Sequence, residues 1–382
     1  MDSLTQIILG ASVSEVALGK KLGNRAVLWG AIAGTIPDLD VLINIDPITD
    51  IEIHRAFSHS VLFWIVGTLF FAWAVVRSEK LTMAGLTVAV LGTAAFNNGS
   101  PGFVATMIGL IALTLFLIYR AKIKTHATFQ EWLKLFFWAF STHALLDACT
   151  VWGTKLFWPF NYKVAFNNIF VADPFYTLPF LGLLIAVLFY KRTNPKRRKI
   201  NRLALYISCG YMALTFAFKT VGMYKFQSAL EKQEIAYLDL NTSPMPLQSF
   251  LWYGLVETET AFYSGHVSIF DSDDIEFYGP YLKNRHLLEG IEDHPKVLQL
   301  NRISSKWYTL REANDSTIIY TDIRFGQFGF GSDAPFIWDF EIIKHKDGTI
   351  TTGRRPPDFE REFSFDLLLE TLGQIFSRGL GK

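Results

Sequence analysis

The first 222 residues contain about eight apolar segments, and this pattern limits the possible folds more than any other feature of the sequence. The segments cover roughly residues 3–18, 25–36, 61–77, 81–96, 102–120, 132–149, 175–190 and 203–222. A helix needs about 20 residues to cross a bilayer, and most segments approach that length. The second is shorter, and either extends through Pro37 or ends inside the bilayer. The sequence therefore predicts an all-α polytopic membrane helical bundle.

The distribution of charge divides the chain at the same place. The net charge of +1 is the sum of +9 over residues 1–222 and −8 over residues 223–382. We therefore expect two domains, a membrane-embedded helical domain over residues 1–222 and an extracytoplasmic domain over residues 223–382. Strand-like runs and turn signals in the second part predict a small α+β soluble domain. A basic nucleic-acid-binding protein is not expected from this balance.

Lysine and arginine are concentrated in alternate loops between the apolar segments. The basic loops are residues 20–25, 77–80, 120–124 and 191–202. Cytoplasmic loops of membrane proteins are enriched in these residues. We therefore expect a bacterial-type cytoplasmic (inner) membrane protein with several spans. The other loops and the C-terminal domain are then on the outer, periplasmic side.

Four motifs near the outer ends of the segments contain unusual polar residues. PDLD holds Asp38 and Asp40, HRAFSHS holds His54, Arg55 and His59, STHALLDA holds His143 and Asp147, and ADPFYT holds Asp173. His143 and Asp147 are four residues apart in a helical segment, so they share a face. Imidazole and carboxylate groups together are typical ligands of zinc, iron or manganese. A metal would also offset the cost of carboxylates close to the bilayer.

Each motif also has a simpler interpretation. An HxxxD pair is common without a metal, and PDLD can be a turn with an aspartate cap. His54 and His59 are five residues apart and would not share a helix face. The expected convergence of all these residues at one membrane face nevertheless favours a shared metal site.

The motifs MDSLTQIILGA, GTIPDLDVL, HRAFSHS, THALLDACTVWGTKLFWPF and FVADPFYTLP resemble the YdjM/YbcI-like family of membrane-bound metal-dependent hydrolases. The resemblance covers about residues 1–190. Many relatives carry a histidine where this chain has Gln6. The amide oxygen of Gln6 could bind a metal weakly or accept a hydrogen bond from a metal-bound water.

This family is in turn distantly similar to zinc-dependent phospholipase C. That similarity implies a ligand set of Asp40, His54, His143 and Asp147, and it makes His59 a further candidate ligand. It implies a divalent metal, with zinc expected, in one to three ions. Asp38 or Asp173 would then be the general base or a ligand of a second metal.

The resemblance implies hydrolysis of a phosphoester in a lipid or lipid-linked substrate, and it names no protein partner. Arg55 would bind a phosphate oxygen or, alternatively, form a salt bridge to a neighbouring aspartate. Lys155 and Trp158 would line the site of the headgroup, although interfacial aromatic residues are usually membrane anchors. Two other functions remain open, an ion-coupled membrane transporter and a non-catalytic membrane protein with a structural metal.

Overall fold

The computed structural model describes residues 1–121, 127–270, 275–327 and 329–355, together with Gly373 and Ile375. All eight apolar segments are helical, which confirms the predicted bundle. Two short 3-10 turns, Pro37–Leu42 and Phe57–His59, flank α3. The helices of the first domain are α1 (Ser3–Leu22), α2 (Asn24–Thr35), α3 (Pro47–Ile53), α4 (Val61–Asn98), α5 (Pro101–Arg120), α6 (Phe129–Ala148), α7 (Pro174–Leu188) and α8 (Pro195–Lys232).

Helix α4 contains two of the predicted segments, which meet at Ser78. The backbone of Ser78 is not helical, with φ −165° and ψ 103°. The helix begins at Val61, directly after the second turn, and Asn97 near its other end donates a hydrogen bond of 2.9 Å to the carbonyl of Leu42 in the first turn. Both ends of α4 therefore lie beside the two turns, and the chain reverses direction at Ser78.

The basic loops meet at the opposite end of the bundle. Lys21 forms an ion pair of 2.8 Å with Glu131 at the start of α6. Lys80 donates a hydrogen bond of 2.9 Å to the carbonyl of Tyr119 at the end of α5. The eight segments thus alternate in direction, with basic residues at one end and the two turns at the other.

Three of the described helices, α4, α5 and α8, are long and apolar enough to cross a membrane, and α7 is a shorter apolar helix. Large apolar side chains on the outer surface of α4 and α5 are exposed, among them Leu81, Phe96 and Ile108. Inside the bundle, Trp29 and Trp132 pack edge to face with their ring centres 5.7 Å apart. An apolar exterior around an aromatic core fits a bundle surrounded by lipid.

Helices α1 and α2 cross at backbone contact. A Cβ atom on Gly10 would lie 2.3 Å from the carbonyl oxygen of Gly30, and one on Gly34 would lie 2.4 Å from that of Gln6. Glycine is therefore required at this crossing, as at many close helix contacts in membranes. The crossing holds Gln6 and the Gly34 carbonyl in fixed positions beside the candidate site.

The second domain consists of two four-stranded antiparallel sheets, which confirms the predicted α+β class. Each sheet has its strands in sequential order, and the helix α9 (Pro295–Ser304) precedes the second sheet. The strands are β1 (Asp239–Pro244), β2 (Leu251–Glu257), β3 (Ala261–Ser268), β4 (Phe277–Leu282), β5 (Tyr308–Asn314), β6 (Thr317–Gln327), β7 (Phe336–Lys344) and β8 (Ile350–Arg355).

The sequence missed three elements of this domain. The sequence NTSPMP at residues 241–246 is typical of a linker or turn, but residues 241–244 belong to β1, where Asn241 pairs with Leu255 of β2. Strand β4 contains Pro280, which argues against a strand, and it is tolerated because β4 lies at the edge of its sheet. Helix α9 was not predicted. The sequence also predicts a closing amphipathic helix from about Phe363 to Phe376, and these residues lie outside the described ones, apart from Gly373 and Ile375.

Helices α3 and α9 join the two domains through polar contacts. Arg302 binds Glu52 through two hydrogen bonds, of 2.6 Å from Nε and 3.3 Å from Nη2. Lys296 forms an ion pair of 3.3 Å with Asp46, the N-cap of α3. The outer end of the bundle is therefore covered in part by the second domain.

Candidate metal centre

Three segments distant in sequence bring four polar side chains together at the end of the bundle opposite the basic loops. Pro37 ends α2 and starts the first 3-10 turn, which carries Asp38. The second turn carries His59, and α6 carries His143 and Asp147 on one face. One ligand atom from each of these four residues lies within 4.8 Å of the others, so the group could hold a metal ion.

Five of the six separations between these atoms lie between 3.0 and 3.6 Å, and the sixth, between Asp38 and Asp147, is at most 4.8 Å. His59 Nε2 lies 3.0 Å from His143 Nε2, 3.0 Å from Asp147 Oδ2 and 3.3 Å from Asp38 Oδ1. His143 Nε2 lies 3.4 Å from Asp38 Oδ1 and 3.6 Å from Asp147 Oδ2. Ligand atoms at the usual distance from a tetrahedral zinc ion are about 3.3–3.6 Å apart. The four atoms are therefore close to the arrangement that a single ion needs.

The ring of His143 has a defined tautomer. Its Nδ1 lies 2.7 Å from the carbonyl oxygen of Gly34, which can only accept a hydrogen bond. Nδ1 therefore carries the proton, and the lone pair of Nε2 points into the cluster. A backbone carbonyl on the outer nitrogen is a common way to orient a metal-binding histidine.

The ring of His59 is fixed in the same way through Ser58 and Asp40. The hydroxyl of Ser58 donates its one proton to Asp40 Oδ2 at 2.6 Å, so it must accept from His59 Nδ1 at 2.9 Å. The proton of the neutral ring then lies on Nδ1. Both histidines thus direct an Nε2 lone pair at the same point, an arrangement that is repulsive without a cation between them.

Gln6 adds a neutral oxygen beside the cluster. Its Nε2 donates to Asp147 Oδ1 at 3.0 Å and to the carbonyl of His143 at 3.2 Å. Its Oε1 is buried and has no hydrogen-bond partner among the described residues. Asp147 Oδ2 forms ion-pair contacts with His59 and Arg55, while the amino group of Met1 contacts Oδ1. A buried acceptor without a donor beside a buried carboxylate indicates a place for a cation or for water.

The acidic and imidazole groups of the two turns perturb each other's titration. Burial tends to raise the pKa of Asp38, but hydrogen bonds from His143 and His59 outweigh it and hold this pKa well below its usual range. Burial tends to lower the pKa of His59, but its hydrogen bonds to Asp147 and Asp38 raise the pKa above its usual value. The acids are therefore ionised, as metal ligands must be.

A model of the YdjM inner membrane protein family matches residues 1–222, more than half of the chain. The chain belongs to this family. Comparisons with curated proteins and with solved structures each gave no match. The YdjM match and the three apolar helices identify a multi-pass inner membrane protein. The matched residues include all four members of the cluster, whereas both sheets lie beyond them.

The ligand set implied by the similarity to phospholipase C overlaps this cluster only in His143 and Asp147. Asp40 and His54 instead bind each other, with 2.7 Å between Asp40 Oδ1 and His54 Nδ1. Successive residues of a 3-10 turn point in directions about 120° apart, so Asp38 and Asp40 face different neighbours. Burial tends to raise the pKa of Asp40, but its bond with His54 outweighs this and lowers it.

Arg55 lies between the two turns and contacts both halves of the site. Its Nε lies 3.2 Å from Asp147 Oδ2, and its Nη1 donates to Thr150 at 2.9 Å. Its backbone N–H donates to Asp40 at 3.1 Å, and its φ of 60° is uncommon for a residue other than glycine. Of its two predicted roles, the structure contains the salt bridge to an aspartate.

Asp173 lies apart from the four-residue cluster. Its carboxylate is the N-cap of α7 and accepts from the backbone N–H of Phe175 at 2.9 Å. It also accepts from Tyr211 at 2.9 Å and from Ser249 at 2.8 Å. Ser249 belongs to the second domain, so Asp173 connects α7 and α8 to that domain. Its bonds are those of a structural residue.

Sequence reasoning missed Ser58 and the carbonyl of Gly34, which fix the two histidine tautomers. The signal for Ser58 was present in HRAFSHS, where a hydroxyl directly precedes a candidate ligand. No signal for Gly34 existed, because a backbone carbonyl has no side chain to recognise. Among the predicted headgroup residues, Lys155 lines a pocket beside Arg55, and Trp158 packs on Phe57 with ring centres 5.1 Å apart.

Proposed function

We propose that the protein is a membrane-bound, metal-dependent hydrolase that cleaves a phosphoester of a lipid or lipid-linked substrate. One observation carries the proposal, the convergence of ligand atoms from Asp38, His59, His143 and Asp147 within 4.8 Å of one another, with both histidine Nε2 lone pairs directed inward. Zinc is the proposed metal, because imidazole and carboxylate ligands at these separations suit its size and geometry.

The four side chains differ in exposure, and we assign them different roles. The side chains of His59, His143 and Asp147 are 0%, 1% and 0% exposed, whereas that of Asp38 is 15% exposed. A catalytic zinc site usually has three protein ligands and one open position. We assign the three buried side chains as ligands and Asp38 as the general base that faces the substrate.

A bound zinc would supply Lewis-acid activation of water and of a phosphoryl oxygen. Asp38 would accept a proton from the attacking water. The water oxygen forms a new bond to phosphorus, the bond to the leaving alcohol oxygen breaks, and the alcohol takes up the proton. Arg55, already buried beside Asp147, would stabilise the charge that develops on the phosphoryl oxygens.

Charge and packing support an outer location for the reaction. The basic loops meet at the end of the bundle opposite the cluster, and basic loops favour the cytoplasm. The cluster and the second domain would then lie on the periplasmic side. A site at the end of apolar helices would receive a headgroup without removing the lipid from the bilayer.

The test is metal analysis of the purified protein beside a panel of phosphate and lipid esters. We expect about one equivalent of divalent metal in the wild type and its loss in His143→Ala and Asp147→Asn. His345→Ala, an exposed histidine of the second domain, should retain it and serves as the matched control.

Two results would contradict the proposal. Absence of stoichiometric metal from the wild type would exclude the metal site. A retained metal without hydrolysis of any ester on the panel would favour a structural metal, one of the alternatives considered from the sequence.

A further inference from the structure

A pocket of about 80 Å³ lies where the two domains meet, directly beside the cluster. Its walls come from α3, from the loop that follows α6, and from α9 of the second domain. This volume is large enough for several water molecules or for one compact oxyanion. The polar and charged residues that line it are Glu52, His54, Arg55, Lys155, Asn161, Lys163 and Arg302.

Lys163 has no ion pair and no hydrogen bond with any residue that the structure describes. Its ammonium lies 5.4 Å from the ring centre of Trp152, which forms part of the same wall. Burial, and then the positive charge of Arg324, hold the pKa of Lys163 well below its usual range. The charged ammonium of Lys163 is therefore disfavoured on its own, and a bound anion would favour it.

Positive charge exceeds negative charge in this pocket. Four of its lining residues, Arg55, Lys155, Lys163 and Arg302, are basic, and Glu52 is the one acidic residue among those that line it. Glu52 already binds Arg302 at 2.6 Å and lies 3.9 Å from Lys155. Glu52 therefore does not pair with Lys163, and the acidic residue whose charge favours the Lys163 ammonium, Asp322, lies outside the pocket lining.

Arg55 links the pocket to the cluster. Arg55 is one of the residues that line the pocket, and its Nε lies 3.2 Å from Asp147 Oδ2. Its carbonyl accepts a hydrogen bond of 3.0 Å from the backbone N–H of Lys155, which keeps the two pocket walls together. A group bound in the pocket would thus be adjacent to the proposed reaction centre.

We propose that this pocket binds the phosphate of the substrate, and that the substrate carries a phosphomonoester or diphosphate with at least two negative charges. This rests on the proposed function and narrows its substrate class. Lys163 and Lys155 neutralise the phosphate, and Arg302 places the second domain in the substrate site. A zwitterionic headgroup with one phosphate charge and a quaternary amine fits less well, because the amine would meet a positively charged wall.

The test measures phosphate binding without catalysis, on the full-length protein in detergent after removal of metal by chelation. The probes are inorganic phosphate, mixed micelles with phosphatidic acid, and mixed micelles with phosphatidylcholine. Lys163→Gln should weaken binding of inorganic phosphate and phosphatidic acid about tenfold, as expected for a lost charge-assisted hydrogen bond. Lys155→Gln should also weaken the binding of both inorganic phosphate and phosphatidic acid.

Lys296→Gln is the matched control, because Lys296 lies on α9 but pairs with Asp46 outside the pocket. It should bind both phosphate probes as the wild type does. Binding of phosphatidic acid without binding of free phosphate would show that the pocket recognises the phosphate only as part of a lipid. Equal binding by Lys163→Gln and wild type, or preference for phosphatidylcholine, would overturn the proposal. Metal content of each variant, measured separately, shows whether the metal site itself has failed.

Discussion

His59 and His143 face each other with their Nε2 atoms 3.0 Å apart, and each ring has its proton fixed on the opposite nitrogen by a neighbour. Two neutral rings in these tautomers have no hydrogen bond to share. Either a proton on one Nε2 or a metal ion between them would relieve the repulsion of the two lone pairs. The contact is thus a position that either a proton or a metal can fill.

Removal of the metal should destabilise the folded protein. A ligand that binds only the native state at 100 times its dissociation constant adds about 2.7 kcal/mol to the free energy of unfolding. We expect a chelator to lower the melting temperature of the wild type in detergent. The chelator should leave the melting temperature of His143→Ala unchanged. An equal decrease in both proteins would show that the chelator acts at another site.

Ser58→Ala should weaken metal binding with little effect on folding. The substitution removes the hydroxyl that accepts from His59 Nδ1, and loss of such an orienting partner typically costs 10- to 100-fold in metal affinity. Calorimetric titration with zinc would measure the loss.

Ser60→Ala, two residues away, is the informative comparison. Ser60 is the N-cap of α4 and accepts from the backbone N–H of Phe63 at 3.2 Å. Its loss should cost about 1 kcal/mol of stability and leave zinc affinity nearly unchanged. The reverse pattern, with metal loss in Ser60→Ala alone, would contradict the assignment of Ser58.

Metal affinity should fall as the solution becomes more acidic. Hydrogen bonds to Asp147 and Asp38 raise the pKa of His59, so a proton occupies its Nε2 at pH values where a free histidine is neutral. Metal binding must displace this proton, and the apparent affinity therefore declines by about tenfold per pH unit below that pKa. Asp38 is ionised throughout this range and adds no slope of its own.

Titrations in buffers of different ionisation enthalpy would count the displaced protons. We expect close to one proton per metal at pH values well below the pKa of His59, and fewer at higher pH. A count that does not change with pH would contradict this coupling.

Gly34→Ala should disturb both the helix crossing and the metal centre. Its Cβ would lie 2.4 Å from the carbonyl of Gln6, so α1 and α2 must separate and carry the Gly34 carbonyl away from His143. We expect a loss of 1–3 kcal/mol in stability, typical of overpacking, together with reduced metal content. Gly85→Ala in α4, where nothing lies within 4 Å of the added Cβ, should be neutral or slightly stabilising.

The helical architecture could be predicted because the length of each apolar segment and the charge of each loop are local properties of the sequence. The convergence of PDLD, HRAFSHS and HALLDA was also predictable, since the loop charges place all three at one end of the bundle. The sequence could not predict that Asp38, rather than Asp40, belongs to the cluster, because this depends on the pitch of one 3-10 turn. Strand β1 was missed because its pairing with β2, rather than its own composition, makes it a strand.

The four cluster residues come from segments that are more than a hundred positions apart at their extremes, and none of these segments contains the whole set. The ion-binding geometry therefore cannot form in a nascent chain that lacks α6. It arises only after α6 has joined α2 and the turn before α4, which requires most of the bundle to be inserted. Capture of a metal would then be a late step in the biogenesis of the protein, and metal content would report the fraction of molecules that have completed assembly.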